Sequence, residues 1–382
     1  MNEVSESTKL DLLYLSEPDM ITAGVRDMSR CIDTMEEVMG LLHDGDYRMG
    51  GSDHNSHGMM ITFPDHPLFP AMPHNAADRR FMAMPAYIGG RFDVAGVKWY
   101  GSNTENREKG LPRSIHLVVL NDKDTGAPIA VMAGNLVSAY RTGAIPGLGA
   151  KLLAREDAHV LAVIGPGVMN RTAVEAFVSA RPGIDTLRIH GRRRVTSERF
   201  EQYVREQFPS IVTIEICDTI EEAVRGADII SSATTGARGS ENYPYIAEEW
   251  IKPGALLTVP ANLRLDEDFL IERAHKFVDH MGLYKSWASE YDVPKLHEFI
   301  GIIGTHFIDL INEEAIPEAA VTSLGQVVRG DRPGRTSDDE IIVLSIGGMP
   351  VEDMAWGVEL YRTAVEQGVG VRLPFWDQPA LS

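Results

Sequence analysis

The chain has 382 residues, 44% hydrophobic and 24% charged, which is enough for about two domains with a sizeable core. A formal net charge of -19 argues against nucleic acid or an anionic membrane as a main partner. Cys31 and Cys217 are the only cysteines, the N-terminus is polar, and no apolar run reaches about 18 residues, so a reducing cytoplasm is the expected compartment.

A short apolar run, Leu12 to Leu15, opens the chain. Ser16 before Glu17-Pro18-Asp19 is a helix-start signal, and a periodic stretch follows to about Leu42. Residues 44 to 80 are rich in Gly, His, Pro and Asp and read as irregular. His54, His57, His66 and His74 lie there with Asp53 and Asp65, but their spacing matches no known metal site, so no metal is expected. The runs "FMAMPAYI", "AGVKWYG", "SIHLVVLN" and "APIAVMAG" follow as strands. The last two are joined by the turn sequence "DKDTG" and are expected to form a hairpin. Asn135 is placed to cap a helix carrying "LVSAYRTGA".

From His159 the rhythm changes. "HVLAVIG" reads as a strand and Val168 to Ser179 as a helix. "TLRIH" is a strand and Ser197 to Gln207 a helix. "IVTIEIC", "ADIISSA", "ALLTVP" and "KFVDH" add four more strands. Six strands alternating with helices predict a Rossmann-type, doubly wound parallel sheet. The tail, with "IIVLSIG" and a helix from about Val351 to Glu366, is expected to return to the front section. The expected division is therefore a mostly antiparallel α+β domain at 1–140, completed by 331–382, and a dinucleotide-binding domain at 141–330.

The turn "VIGPGVMN" carries the chemistry. Gly165 and Gly167 match the first two positions of G-x-G-x-x-G. The first lets the chain turn sharply; the second removes a Cβ so that a pyrophosphate can approach the backbone. The helix behind it, starting at Val168 and Met169, aims free N–H groups and its positive dipole end at the phosphates. The third position is Asn170, which weakens the motif. At the end of the second strand, "RIHGRRRVTSE" has no carboxylate to hold a ribose hydroxyl but has Arg192, Arg193 and Arg194. Two readings stand for these: a solvated basic helix start, or guanidinium groups that hold a 2′-phosphate, which favours NADP over NAD.

The segments "MPAYIGG", "VAGVKWYGSN", "GLPRS", "LNDKDTGAPIAVMAGNLVSAYRTGA", "VIGPGV", "ADIISSATT", "WIKPGALLTVPA", "LGQVVRG" and "SIGGMPVEDMAWG" stand in the order of one family. From end to end the chain resembles the ornithine cyclodeaminase/mu-crystallin family. The "KWYGSN…NREKGLPRS" segment resembles a subgroup that includes the dehydrogenase of 2,3-diaminopropionate biosynthesis. The resemblance implies a homodimer in which the mostly antiparallel domain closes a barrel across the dimer axis, beside a Rossmann domain that binds NAD or NADP. It also implies Thr234, Ser345 and Gly347 as further cofactor contacts.

The same resemblance makes Lys98 and Arg141 the catalytic pocket residues that hold an α-carboxylate. Physically, an α-amino or α-imino acid needs cations to fix that group, and Arg141 offers a bidentate fork where Lys98 offers a point charge. Two positions depart from the cyclodeaminases. Their catalytic Asp corresponds here to Asn262, which cannot act as a general base. A Thr of theirs corresponds to Arg113, which either adds a third cation for a second carboxylate or faces solvent. The implied function is an NAD(P)-dependent oxidoreductase acting on the C–N bond of an amino or imino acid. The alternatives are a cyclodeaminase-type lyase that releases ammonia, and a non-catalytic cofactor- or ligand-binding protein such as an amine-oxidase accessory subunit.

Overall fold

Strand patterning separates two sheets in the computed structural model, which describes residues 8–234 and 239–381. Among the described residues the chain divides into two units: residues 8–26, 47–138 and 350–381 form one, and residues 27–46, 139–234 and 239–349 the other.

The first unit holds a mixed sheet of β1 (Leu10–Leu15), β2 (Tyr47–Met49), β3 (Met59–Ile61), β4 (Arg80–Ile88), β5 (Val94–Ser102), β6 (Ser114–Asn121), β7 (Pro128–Ala133) and a last strand, Val371–Trp376. The path runs from that last strand through β1, β7, β6, β5 and β4 to β2, with β3 also on β4. All pairs are antiparallel except β1 with β7. β6 and β7 form the expected hairpin. The period-2 pattern sends Met82, Met84, Ala86 and Ile88 of β4 to one face with Val94, Lys98, Tyr100 and Ser102 of β5 and with Val118 and Leu120 of β6. The helix Pro350–Gln367 covers that face and is buried throughout its first eleven residues. The other face leaves Phe81, Trp99, Ile115 and Leu117 exposed, with Phe81 and Trp99 stacked at 5.7 Å.

Residues expected to be one helix after Ser16 are two. Ser16 caps α1 (Glu17–Thr22) through a capping box with Asp19. The chain breaks at Gly24, whose φ is +89°, and Asp27 caps α2 (Met28–Asp44). α2 falls in the second unit, where it packs on the helix that follows the glycine-rich turn.

In the second unit eight strands are parallel. β8 (Val160–Ile164), β9 (Thr186–His190), β10 (Thr213–Ile216), β11 (Ile229–Ser232), β12 (Leu256–Val259) and β13 (His275–Val278) are the six expected strands. β14 (Val321–Ser323) and β15 (Ile342–Ser345) complete the order β10-β9-β8-β11-β12-β15-β13-β14. β8, β11, β12 and β15 are buried on both faces, which is why they show no strict alternation of polar and apolar residues. Here the structure corrects the expected division. "IIVLSIG" does not return to the front section; as β15 it sits between β12 and β13, and only residues from 350 onward join the first unit. An apolar strand buried on both faces suits the middle of a parallel sheet better than a two-faced antiparallel one.

The helix α3 (Gly134–Leu153) starts one residue before the expected cap, and α4 (Val168–Ala180) and α5 (Arg194–Gln207) follow β8 and β9. Asn135 does not cap α3: its side chain accepts the His116 N–H at 2.8 Å and donates to the Ser114 carbonyl at 3.0 Å.

Candidate functional site

In the second unit the strand order reverses between β8 and β11, and loops at the carboxyl ends of these two strands meet. Such a switch point is where open α/β sheets bind ligands. Gly165 ends β8 with φ +86°, and a Cβ there would stand 2.5 Å from the Ala233 carbonyl oxygen and 2.8 Å from Thr234 Cγ2, so this turn needs glycine. Gly167 is the N-cap of α4 and has open space where its Cβ would be. Val168 is exposed and Met169 half-buried in the first turn of α4. Glycine backbone before a helix N-terminus, with nothing occupying the Cβ position, fits the pyrophosphate of a dinucleotide.

Asn170 explains how the motif tolerates losing its third glycine. Fully buried, its amide donates to the carbonyls of Ile164 (3.2 Å) and Gly165 (2.8 Å) and accepts from the Ser231 hydroxyl (2.7 Å). It thus ties β8, the turn and β11 by hydrogen bonds where glycine would allow direct backbone contact. Arg192 and Arg193 follow β9 and are exposed, with no ion pair among the described residues. Arg194 starts α5 and pairs with Glu198 (3.3 Å) and Asp218 (3.4 Å). Thr234 is half-buried beside Gly165. The last residue of "ADIISSATT", Thr235, lies outside the described residues.

Ser345 is fully buried at the end of β15, where its Oγ accepts the Gly304 N–H at 2.8 Å and lies 3.0 Å from the Tyr284 hydroxyl. Gly347 donates its N–H to Asp279 at 2.7 Å. Arg141, on α3, is 5% exposed, and its Nη1 lies close against Gly348. Asn262 is half-buried in the loop after β12 and bridges to Ile302.

In the first unit Lys98 points from β5 to the covered face. Its Nζ donates to Asp353 Oδ2 at 2.7 Å, and the two side chains are 3% and 0% exposed. Asp353 belongs to the helix Pro350–Gln367. A buried ammonium requires such a partner, because an isolated charge in an apolar interior is prohibitively costly. Two residues on, Tyr100 packs its ring 5.9 Å from Lys98 Nζ, 5.7 Å from the Arg80 guanidinium and 4.9 Å from the His116 ring. Arg113 lies at the edge of this face. Its Nε is 3.3 Å from Asp78, which also pairs with Arg80 and accepts from Ser102 at 2.6 Å. Burial, followed by the neighbouring charges of Arg80 and Arg107, pushes the Arg113 guanidinium below its ordinary pKa.

Asp353, Arg80, Tyr100, Asp78 and Asp279 were not singled out from the sequence. Asp353 carried a signal, a carboxylate one turn into an apolar helix within "GMPVEDMAWG", and so did Asp279, a charge ending the apolar strand "KFVD". Among the described residues no group of three or more His, Cys, Asp or Glu is arranged to hold a metal ion, and no helix is long and apolar enough to cross a membrane.

Comparison with known proteins agrees with this fold. N-((2S)-2-amino-2-carboxyethyl)-L-glutamate dehydrogenase of Staphylococcus aureus is 27% identical over 366 residues, covering 95% of this chain and 98% of its own. An archaeal alanine dehydrogenase dimer with bound NAD superposes with a TM-score of 0.75 at 24% identity, over 96% of this chain and all of its own. The Δ1-pyrroline-2-carboxylate reductase of Thermococcus litoralis, in complex with NADH and L-proline, gives 0.74 at 24% identity over 95% of this chain and all of its own. The model of the ornithine cyclodeaminase/mu-crystallin family matches residues 25–368, and the chain belongs to that family.

Proposed function

We propose that the protein is an NAD(P)-dependent oxidoreductase that acts on the C–N bond of an α-amino or α-imino acid. The observation that carries this reading is the Gly165–Gly167 turn at the sheet's switch point, open on the side a pyrophosphate would approach. The dehydrogenase activity in the name of the Staphylococcus aureus relative, which matches nearly end to end, supports it. A bound dinucleotide supplies hydride chemistry, and the chain's own residues bind and orient. Gly165, Gly167, Val168 and Met169 hold the phosphates, with Thr234, Ser345 and Gly347 forming the remainder of the cofactor wall. Ser345 acts there through the loop it fixes, because its own hydroxyl is buried. Arg192 and Arg193 select the 2′-phosphate of NADP, since a guanidinium fork matches phosphate geometry.

Lys98 and Arg141 hold the substrate's α-carboxylate, so that Cα is presented in one orientation. Arg113, with Arg80, receives a second carboxylate. Two guanidinium groups near one carboxylate, Asp78, leave net positive charge for an acidic arm. Asn262 lines the substrate without acting as a base, which speaks against the cyclodeaminase alternative. The exposed face of β4, β5 and β6 suits a homodimer in which two such sheets close a barrel. Phe63, Phe81, Trp99, Ile115 and Leu117 line an apolar cleft of about 650 Å³ there. A cytoplasmic location fits a chain with only two cysteines.

The test is a product assay. Amino acids with NAD(P)+, and keto acids with amines and NAD(P)H, are followed by nicotinamide absorbance, with ammonia measured in parallel. Net cofactor turnover supports the proposal. Ammonia and a cyclic product from ornithine, without net cofactor change, overturn it in favour of the cyclodeaminase. Cofactor binding without either reaction assigns the chain a binding or accessory role.

A further inference from the structure

We propose that Asp279 is a positioning residue for Arg141, acting through the Gly347–Gly348 turn. Asp279 follows β13 and is 1% exposed. Its Oδ2 accepts two successive backbone N–H groups, from Gly347 at 2.7 Å and Gly348 at 3.0 Å. Its Oδ1 accepts the His280 N–H and the Tyr284 hydroxyl, each at 2.9 Å. The carboxylate is thus saturated by four donors, and hydrogen bonds to an ionised acceptor are about twice as strong as neutral ones. The Asp279 backbone N–H also donates to the Ser345 carbonyl at 3.1 Å, so strand and turn are fixed to one another.

This turn forms the surface on which Arg141 rests. Gly348 has φ +74°, and a Cβ added to it would stand 2.8 Å from Arg141 Nη1. The guanidinium therefore lies against bare backbone, at a height set by where the turn sits, and Asp279 sets the turn. Tyr284 extends the brace, because its hydroxyl touches both Asp279 and Ser345, and Ser345 Oγ holds the Gly304 N–H. Burial is the largest influence on the Asp279 carboxyl and pushes its pKa up, while these hydrogen bonds oppose it. A bidentate cation is useful only when its plane is held, since misplacement of about 1 Å costs on the order of 100-fold in rate. The inference rests on the reading of Arg141 as the binder of the substrate's α-carboxylate.

The test is a double-mutant cycle on the full-length protein with saturating NAD+ or NADP+. Binding of L-alanine, L-proline, L-aspartate and L-glutamate is measured by calorimetry. Asp279→Asn keeps size but turns an amide N–H toward the two glycine N–H groups. It should weaken the amino acid that binds best by about 10-fold, with dinucleotide affinity unchanged. Arg141→Ala should weaken the same ligand at least as much. In the Arg141→Ala background, Asp279→Asn should add less than about 2-fold, because its effect passes through the missing guanidinium. Gly348→Ala, which intrudes on Arg141 directly, should reproduce the loss and provides the readout if Asp279→Asn does not fold. Additive losses in the cycle, or loss of dinucleotide binding together with the amino acid, overturn the proposal and assign Asp279 a general structural role. Full amino-acid affinity in Asp279→Asn and in Gly348→Ala, with weakened binding in Arg141→Ala, overturns the positioning step alone. No effect of Arg141→Ala, or no binding of any of the four by the unmodified protein, overturns the Arg141 reading and this inference with it.

Discussion

The Lys98 ammonium donates to Asp353 Oδ2 at 2.7 Å where neither side chain reaches solvent, so a strand and the helix covering it are joined by a buried ion pair. Removing one member of such a pair costs roughly 3–5 kcal/mol because the other is left charged in an apolar setting, whereas replacing both with apolar groups is often neutral. Asp353→Ala and Lys98→Met should each lower stability by that order, and the double variant Lys98→Met/Asp353→Leu should recover most of it while remaining inactive. Urea unfolding midpoints beside the absorbance assay check this. An active double variant would remove Lys98 from the chemistry.

The turn after β8 makes a sharper prediction, because its two glycines are glycine for different reasons. Gly165 has positive φ and a carbonyl oxygen 2.5 Å from its absent Cβ, so Gly165→Ala should destabilise the fold. Gly167 has ordinary φ and open space, so Gly167→Val should fold normally but fail to bind dinucleotide. Thermal unfolding and calorimetric titration with NADPH separate the two. Unchanged cofactor affinity in Gly167→Val would place the phosphates elsewhere.

What the sequence made legible, and what it hid, follows from how local each signal is. β8 and β12 are largely apolar runs buried on both faces, and a glycine turn before a helix follows the first of them, so strand identity and that turn are readable from short windows. The place of β15 was not readable. Nothing in "IIVLSIG" states that it inserts between β12 and β13 after a crossover of some 60 residues; only the assembled sheet decides that. The same holds for α2, which belongs with residues more than a hundred positions later. Motifs single out Lys98 and Arg141 in the sequence, but not the groups the fold sets beside them. Asp353 is 255 positions from Lys98, and Gly348 is a bare backbone site whose role is to be empty beside Arg141. Asn170 looked like a motif defect and is instead a set of three hydrogen bonds.

Cofactor choice should follow the arginines after β9. Arg192 and Arg193 are exposed and unpaired among the described residues, so neither must give up an ion pair to meet a phosphate. One charge-assisted hydrogen bond is worth roughly 1.5–3 kcal/mol, which is about 10- to 100-fold in affinity. NADPH should bind tighter than NADH by that order, and Arg192→Ala should close the gap. Equal or tighter binding of NADH by the unmodified protein rules the assignment out.

Acid should destabilise the second unit through His280. Burial, aided by the charge of His43, pushes the His280 pKa down to about 4 from an ordinary value near 6.5. The folded state thus holds this imidazole neutral while the unfolded chain protonates it. The contribution is full above about pH 6.5 and is lost as the pH falls from there toward 4. Urea midpoints should drop across that window in the unmodified protein and drop less in His280→Gln. Parallel curves for the two proteins would remove His280 as the cause.

The uncovered face of the mixed sheet carries the last prediction. Phe81, Trp99, Ile115 and Leu117 are between 37% and 51% exposed on three adjacent strands, and Phe81 stacks on Trp99 at 5.7 Å. Scattered apolar residues are ordinary on a surface; a contiguous, aromatic-rich patch on a sheet face marks an interface. If two copies meet there, a charge at its centre has to be buried unpaired, which costs several kcal/mol at each of two symmetry-related sites. If the unmodified protein is a dimer through this face, Trp99→Glu should therefore be a monomer at micromolar concentration, read by light scattering after size-exclusion chromatography. Lys98 and Tyr100 flank Trp99 on β5 but point to the opposite face, so their packing beneath the helix Pro350–Gln367 should survive the substitution. Circular dichroism should show an intact fold. A dimer that persists in Trp99→Glu, with the fold intact, would mean that this face is not where the copies meet.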